Sequence, residues 1–248
     1  MRPVTLYFHG LPGSAAELAA FGPEIAARAQ DFHVVARGGD FARLGEKIVA
    51  QFPDQPLRLV GFSLGAAAAL RTAPHLGERV EQIDLVSPAA PLQLGDFLSG
   101  MAGAPVFRAA LAGRGAFAAL TFMQAQAARI APARMAAALM AKTKGEDRAL
   151  VADPCFIAAL AQSLGHSLLE ERAAYMAEIR AYVADWRTNL AKVHQPVAIW
   201  QGREDDWTPP AMAKALAGAL PSRPEVTMFP GHSHFSALRE YLARDHAA

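Results

Sequence analysis

The chain has 248 residues, of which 52% are hydrophobic, and its formal net charge at pH 7 is +1. This hydrophobic content excludes a disordered chain and allows one large domain or a domain with an insertion. The near-neutral charge gives no electrostatic reason to expect a nucleic acid or an anionic membrane, and the single cysteine excludes a disulfide within the chain.

The first third of the sequence alternates between strand-like and helix-like segments. Short runs of β-branched and other apolar residues predict buried strands at residues 4–8, 33–36, 57–62 and 82–87. Helices are predicted between them: from a capping box at Ser14 and Glu17, over residues 41–52, and from Ser63 to about Pro74. Strands that alternate with helices form βαβ units, so we predict a parallel sheet with helices on both faces.

The alternation stops after the fourth predicted strand. Residues 91–193 are predicted to be helical throughout, including one helix over 172–190, and strands resume at 196–202 and 225–231. A helix starting at Pro209–Pro210, with Thr208 as its cap, and a final helix near Ser236 complete the prediction. Open α/β sheets bind ligands at the carboxyl edge of the strands. We therefore predict a core of residues 1–90 and 194–248, with residues 91–193 inserted as a helical cap over that edge.

The segment Gly61–Gly65, "GFSLG", matches the nucleophile-elbow pattern G-x-S-x-G at a predicted strand-to-helix junction. The bend holds Ser63 in strained backbone geometry, and side chains at Gly61 and Gly65 would collide with neighbouring backbone. At the helix N-terminus, the amide of Leu64 and the helix dipole favour a developing negative charge. We predict that Ser63 is a nucleophile; the alternative is a structural turn flanked by glycines.

A serine nucleophile needs a base, and the base needs an acid that orients it. The elbow motif predicts the chain order Ser, then Asp or Glu, then His, each on a loop after a strand. "QGREDDWTPP" offers Glu204, Asp205 and Asp206, and "PGHSHFSAL" offers His232 and His234. Order alone leaves the choice within each loop open.

Four segments together resemble the α/β-hydrolase superfamily with a helical cap: "YFHGLPGS", "VGFSLG", "VAIWQGREDDWTPP" and "FPGHSHFSAL". The resemblance implies an α/β-hydrolase fold with a mostly parallel sheet. The family's acid loop, G-x-x-D-x-x-x-P, placed on Gly202 and Pro209 selects Asp205 as the triad acid. The family pattern around the histidine fits "SHFS" at His234, with His232 as the alternative base.

The "HG" in "FHGLPGS" resembles the family's oxyanion loop. The resemblance implies that the backbone N–H groups of Leu11 and Leu64 hold the oxyanion. Gly10 lets backbone donors approach the substrate oxygen, and the His9 side chain braces the loop. Family members usually have a β-hairpin before this first strand, whereas this sequence starts directly on the strand. We therefore predict nearer six strands than eight.

The resemblance implies a carboxylesterase-like serine hydrolase that cleaves an ester, thioester or lactone through an acyl-enzyme on Ser63, without metal or cofactor. Phe, Met and Leu in the predicted cap suggest a small-molecule substrate with an apolar or aromatic portion. The same triad would also serve carbon–carbon bond hydrolysis, perhydrolase or acyl-transfer chemistry, or a hydrolase-like binding protein with little turnover.

The sequence also bears on location. The apolar run at the N-terminus is short, and the alanine-rich stretches are broken by Arg, Gln or Pro. We expect a soluble, cytoplasmic protein with no membrane or nucleic-acid partner, and the sequence leaves a homodimer open.

Overall fold

A computed structural model describes residues 2–244. Among these residues, six parallel strands form one sheet in the order β2-β1-β3-β4-β5-β6. The strands are β1 Val4–Phe8, β2 His33–Val34, β3 Leu57–Phe62, β4 Val80–Val86, β5 Val197–Gly202 and β6 Val226–Phe229. β1, β3 and β4 carry buried side chains on both faces, as expected for a parallel sheet covered by helices. The predicted parallel sheet and its six strands are confirmed.

Twelve α-helices surround or follow these strands within the described residues. Their bounds are α1 Pro23–Arg28, α2 Phe41–Gln51, α3 Leu64–Leu76, α4 Ala104–Ala112, α5 Arg114–Ile130, α6 Pro132–Met140, α7 Asp147–Val151, α8 Pro154–Gly165, α9 Arg172–Val183, α10 Arg187–Leu190, α11 Pro210–Ala219 and α12 His234–Ala243. A π-helical turn, His166–Glu170, joins α8 to α9. In residues 2–244, no helix combines the length and hydropathy needed to span a bilayer.

Two predicted helix ends differ from the structure. Helix α3 continues past Pro74 to Leu76, so the single N–H donor that this proline lacks does not end the helix. It ends at Gly77, whose φ of 63° lies in the left-handed region that glycine favours. The helix predicted over residues 172–190 is divided at Ala184, whose ψ is 157°. Asp185 then accepts the backbone N–H of Arg187 at 3.1 Å and starts α10.

Between β4 and β5 the described chain is helical and contains no strand. We call the segment from α4 to α10 the helical insertion. Buried polar contacts join it to the sheet domain: the Tyr182 hydroxyl donates to Ala90 O at 2.9 Å, and Gly13 N donates to Ser167 Oγ at 3.0 Å. The boundaries of core and cap at residues 90/91 and 193/194 stay predictions.

Candidate active site

Ser63 lies at the turn between β3 and α3, and its backbone has φ 55° and ψ −124°. This strained conformation is held by backbone hydrogen bonds from Ser63 N to Val86 O, at 3.0 Å, and from Ala66 N to Ser63 O, at 3.1 Å. A Cβ at Gly65 would overlap the carbonyl oxygen of Phe8, and one at Gly61 would lie 2.6 Å from Ala66 Cα. Both glycines are therefore required for the close approach of α3 to the sheet.

Asp205 and His234 form a buried pair at the carboxyl ends of β5 and β6. His234 Nδ1 lies 2.9 Å from Asp205 Oδ2, and the two residues are 2% and 4% exposed. The other carboxylate oxygen accepts the backbone N–H groups of Trp207 at 2.8 Å and Thr208 at 2.9 Å. These bonds fix the carboxylate, and they leave His234 Nε2 as the nitrogen that can accept a proton from a nucleophile.

The ionisation of both groups follows from this pairing. Burial raises the pKa of Asp205. The neighbouring imidazole of His234 and the backbone hydrogen bond from Thr208 lower this pKa by more, so the net shift is downward. Burial lowers the pKa of His234, while the charge and hydrogen bond of Asp205 raise it, and the net shift is upward. The pair thus favours an ionised aspartate that stabilises an imidazolium.

The alternative base, His232, lies elsewhere. Its Nδ1 donates to Pro230 O at 3.0 Å, and its Nε2 lies 3.6 Å from Glu146 and 3.9 Å from Glu240. The structure therefore brings Asp205 to His234 and not to His232. The capping box that joins Ser233 to Ser236 begins α12 at His234 and turns the two histidines to different sides.

The other acids of the loop are placed differently from Asp205. Glu204 is exposed, as expected of a solvated acid, whereas Asp206 is half-buried. Burial and the nearby Asp205 raise the pKa of Asp206. Neither carboxylate is hydrogen-bonded to His234.

Ser63 and His234 line the same small cavity, together with Gly10, Leu11 and Trp207. The ring of Phe62 packs against that of His234 with centroids 4.7 Å apart. Among the described residues, the Ser63 hydroxyl has no hydrogen-bond partner. Catalytic hydrogen bonds are often long in enzymes without substrate and tighten in the reacting complex.

The loop predicted to hold an oxyanion is braced from below by Glu17. One oxygen of Glu17, Oε1, accepts the Tyr7 hydroxyl at 2.6 Å and the Gly10 backbone N–H at 3.0 Å. The expected capping box is therefore wrong: Ser14 caps a short 3₁₀ turn, but the Glu17 carboxylate points to the loop instead. Burial raises the pKa of Glu17 to about 7, although its hydrogen bonds oppose this shift.

The remaining residues of the predicted oxyanion site surround Ser63. Leu11 and Leu64 both line the cavity that contains Ser63, and Leu64 is the first residue of α3, where a backbone N–H lacks an acceptor within the helix. His9 is buried and its Nδ1 lies 2.7 Å from Gly10 O. Burial lowers the pKa of His9 to about 3, so its side chain is neutral at physiological pH.

Two residues that sequence reasoning did not assign to the site support the triad candidates. Thr208 was expected to cap α11, but Pro209 occupies the cap position. The Thr208 hydroxyl instead lies 2.9 Å from Ser87 O and 3.0 Å from Asp205 Oδ2. The proximity of Thr208 to Asp205 in the sequence was an available signal for this contact.

Asp147, on α7 of the helical insertion, is the second missed residue. It is fully buried and accepts the backbone N–H groups of Phe235 at 3.0 Å and Ser236 at 2.6 Å, in the first turn of α12. His234 is the first residue of that helix. The insertion thus contributes directly to the position of the candidate base, and no sequence pattern indicates a contact between residues so far apart.

A larger cavity of about 150 Å³ continues from Ser63 into the helical insertion. Its sheet-side wall includes Leu11, Leu64 and Trp207, and its other walls are mostly aliphatic, methionine and phenylalanine side chains from the insertion. No charged residue lines it among those described. Residues 2–244 also contain no cluster of three or more His, Cys, Asp or Glu side chains that would hold a metal ion.

Comparisons with known proteins agree with this fold. Solved structures with the same fold include the enol-lactonase from Burkholderia xenovorans LB400 (TM-score 0.63, 17% identity, covering 97% of this chain and 87% of that one). They also include an esterase from Exiguobacterium antarcticum (TM-score 0.58, 15% identity, 98% and 92%) and a bromoperoxidase from Bacillus anthracis (TM-score 0.63, 16% identity, 97% and 87%).

The search of curated proteins gave no significant match. The family model described as serine aminopeptidase, S33, matches residues 21–238. The predicted resemblance and fold are confirmed, and the chain belongs to this S33 family of α/β-hydrolases.

Proposed function

We propose that this protein is a serine hydrolase that cleaves a carboxylic ester, thioester or lactone through an acyl-enzyme on Ser63. The observation that carries the proposal is the buried Asp205–His234 pair, 2.9 Å apart, beside a cavity that also contains the strained Ser63. A buried, oriented imidazole next to a serine on a strained elbow is the arrangement that activates a hydroxyl as a nucleophile.

In this mechanism His234 Nε2 accepts the hydroxyl proton as Ser63 Oγ attacks the acyl carbonyl. The N–H groups of Leu11 and Leu64 stabilise the oxyanion, and Asp205 stabilises the imidazolium. The imidazolium then protonates the leaving alcohol, thiol or lactone oxygen. A water molecule, deprotonated by His234, then attacks the acyl carbon. The bond from that carbon to Ser63 Oγ breaks, the imidazolium returns its proton to Oγ, and the acid is released.

The helical insertion acts in this proposal as a cap that encloses the substrate. The cavity of about 150 Å³ has walls from both the sheet edge and the insertion, and its lining is predominantly apolar. A peptidase specific for a free N-terminus needs a carboxylate near the α-ammonium, and the described lining of the larger cavity carries none. The lining favours a neutral substrate with an apolar portion.

The proposal is tested with p-nitrophenyl esters of increasing acyl length. Ser63→Ala should lower kcat/KM by roughly 10⁴-fold or more. His234→Ala should cause a similar loss, whereas the matched variant His232→Ala should keep most of its rate. Near-normal turnover in Ser63→Ala, with circular dichroism confirming the fold, would show that Ser63 is not the nucleophile.

Labelling with a fluorophosphonate separates the enzyme from a binding protein of the same fold. A hydrolase should combine stoichiometric labelling of Ser63 with steady turnover of at least one ester. Stoichiometric labelling without turnover across the whole panel would favour a ligand-binding protein that retains a reactive serine.

A further inference from the structure

Two polar side chains in the lining of the larger cavity have polar atoms without a hydrogen-bond partner among the described residues. Four of its lining residues bear a hydroxyl or amide: Ser63, Gln124, Tyr175 and Thr208. Ser63 is the proposed nucleophile, and the Thr208 hydroxyl lies within hydrogen-bond distance of Ser87 O and Asp205. Gln124 and Tyr175 remain.

Gln124 lies on α5, and its Oε1 is buried without a hydrogen-bond partner among the described residues. The same cavity is also lined by the apolar side chains of Met135, Leu164 and Leu168. A buried amide oxygen without a partner is destabilising by about 1–3 kcal/mol, so such groups are normally satisfied by water or by a ligand.

Tyr175 lies on α9 and is 3% exposed. Its hydroxyl has no partner within residues 2–244, and burial alone raises the pKa of this tyrosine. A different tyrosine of the same helix, Tyr182, is also buried but donates to Ala90 O at 2.9 Å. The loop after β4 thus satisfies the hydroxyl of Tyr182, whereas the described residues offer no partner for that of Tyr175.

We propose that Gln124 and Tyr175 form a hydrogen-bonding subsite for one polar group on the substrate. The substrate is then a neutral ester, thioester or lactone whose apolar portion carries a hydroxyl or carbonyl group away from the scissile bond. This inference rests on the proposed function for the scissile bond at Ser63. Amide and phenol can each donate and accept, so either polar group fits.

The volume of the cavity bounds the size of that apolar portion. A dry cavity of 150 Å³ lined by aliphatic and aromatic groups is known to hold benzene, and this cavity has about the same volume. The absence of a charged residue from the described lining excludes a carboxylate or ammonium at this position, because an unpaired buried charge is strongly unfavourable. A six-membered ring or a short acyl chain with one hydroxyl is the expected class.

Phenol and toluene test the subsite directly, because they have nearly the same shape and differ by one hydroxyl. Their dissociation constants are measured by NMR titration of the wild type and of the double variant Gln124→Leu/Tyr175→Phe. In the double variant, loss of the hydrogen bonds should raise the dissociation constant of phenol about tenfold relative to that of toluene. An unchanged ratio, or no binding of either ligand, would overturn the subsite.

Matched controls come from the same two helices. Gln126→Leu on α5 and Tyr182→Phe on α9 change the same residue types at positions that do not line the cavity. Both controls should leave the phenol-to-toluene ratio at the wild-type value. Tyr182→Phe should lower the Tm because it removes a buried hydrogen bond, whereas Tyr175→Phe should not. Equal effects of control and test variants on the ratio would overturn the assignment.

The link to the substrate is tested with two isosteric esters, p-nitrophenyl 4-hydroxyphenylacetate and p-nitrophenyl 4-methylphenylacetate. The wild type should have the higher kcat/KM for the hydroxyl ester, and in Gln124→Leu/Tyr175→Phe the ratio of kcat/KM for the two esters should fall to about one. Binding of phenol without any ester preference would overturn the substrate class. The phenol titration does not require turnover, so a failure of Ser63 catalysis would be recognised separately.

Discussion

At the scale of single residues, the ionisation of His234 determines the expected pH dependence of turnover. The neutral imidazole is the base, and its pKa is raised above the usual value of about 6.5 because Asp205, Asp147 and Glu17 outweigh the effect of burial. We expect kcat/KM to fall as the pH falls through this raised pKa. Activity measured from pH 5 to 9 at constant ionic strength gives the midpoint.

Replacing the orienting acid tests the same assignment. Asp205→Asn removes the principal charge that raises the pKa of His234, so the acid limb should move to lower pH. The rate at the optimum should fall by roughly 10³–10⁴-fold, since the favoured imidazole tautomer is lost. An unchanged acid limb in Asp205→Asn would show that a different group controls the profile.

Glu17 should make the stability of the fold depend on pH. Its folded-state pKa of about 7 lies above the ordinary value of 4.5, so the stabilisation is complete at low pH and is lost as the pH rises through 7. The full loss between the two pKa values amounts to about 3 kcal/mol, of which about 2 kcal/mol falls between pH 5.5 and 8.5. Glu17→Gln keeps an Oε1 acceptor for Tyr7 and Gly10 and should lack this loss.

Urea denaturation at pH 5.5 and 8.5 measures the effect of Glu17. The wild type should be less stable at pH 8.5, while Glu17→Gln should show nearly the same free energy of unfolding at both values. Parallel losses in the two proteins would assign the pH dependence to other groups.

At the scale of secondary structure, α12 depends on a carboxylate from a distant helix. Asp147 accepts two N–H groups in the first turn of α12, which begins with His234. Removing a capping acceptor costs about 0.5–2 kcal/mol, so Asp147→Ala should be destabilised by that amount. We also expect kcat to fall while KM changes little, because Asp147 does not line either cavity near Ser63.

The adjacent Glu146 is the matched control. It lies within 2.5 Å of Arg239 in a partly exposed ion pair, and such pairs contribute about 0–1 kcal/mol. Glu146→Gln should therefore have nearly the wild-type stability and kcat. Equal losses of kcat in the two variants would argue against a positioning role for Asp147.

At the scale of the whole molecule, a buried ion pair joins the sheet domain to the helical insertion. Arg37 Nε lies 2.8 and 2.9 Å from the two oxygens of Glu178 on α9, and the two side chains are 1% and 5% exposed. Both terminal nitrogens of Arg37 are buried without a hydrogen-bond partner in the described residues. The guanidinium therefore depends on Glu178 to offset the loss of its hydration.

Replacing only one residue of this ion pair should lower the free energy of unfolding strongly. Glu178→Leu leaves the Arg37 charge buried and should lower the free energy of unfolding by roughly 3–5 kcal/mol. The double variant Arg37→Met/Glu178→Leu removes both charges and should recover most of that loss. Chemical denaturation of the three variants checks this order, and a double variant less stable than Glu178→Leu would contradict it.

The sequence by itself determined the parallel sheet, the helical segment between its fourth and fifth strands, and the elbow at Ser63. Each follows from local patterns: apolar runs of strand length, helical periodicity, and two glycines that the close packing of α3 requires. The three loops that carry Ser63, Asp205 and His234 were also recognisable, because parallel strands place their carboxyl ends at one edge.

Only the tertiary structure decided which histidine meets Asp205, where the Glu17 carboxylate points, and that Asp147 caps α12. The contact from Asp147 to Phe235 joins residues 88 positions apart, and the unpartnered polar groups of Gln124 and Tyr175 face one cavity from separate helices. Such contacts depend on how distant elements pack against each other, whereas sequence periodicity reports only which face of one element is apolar.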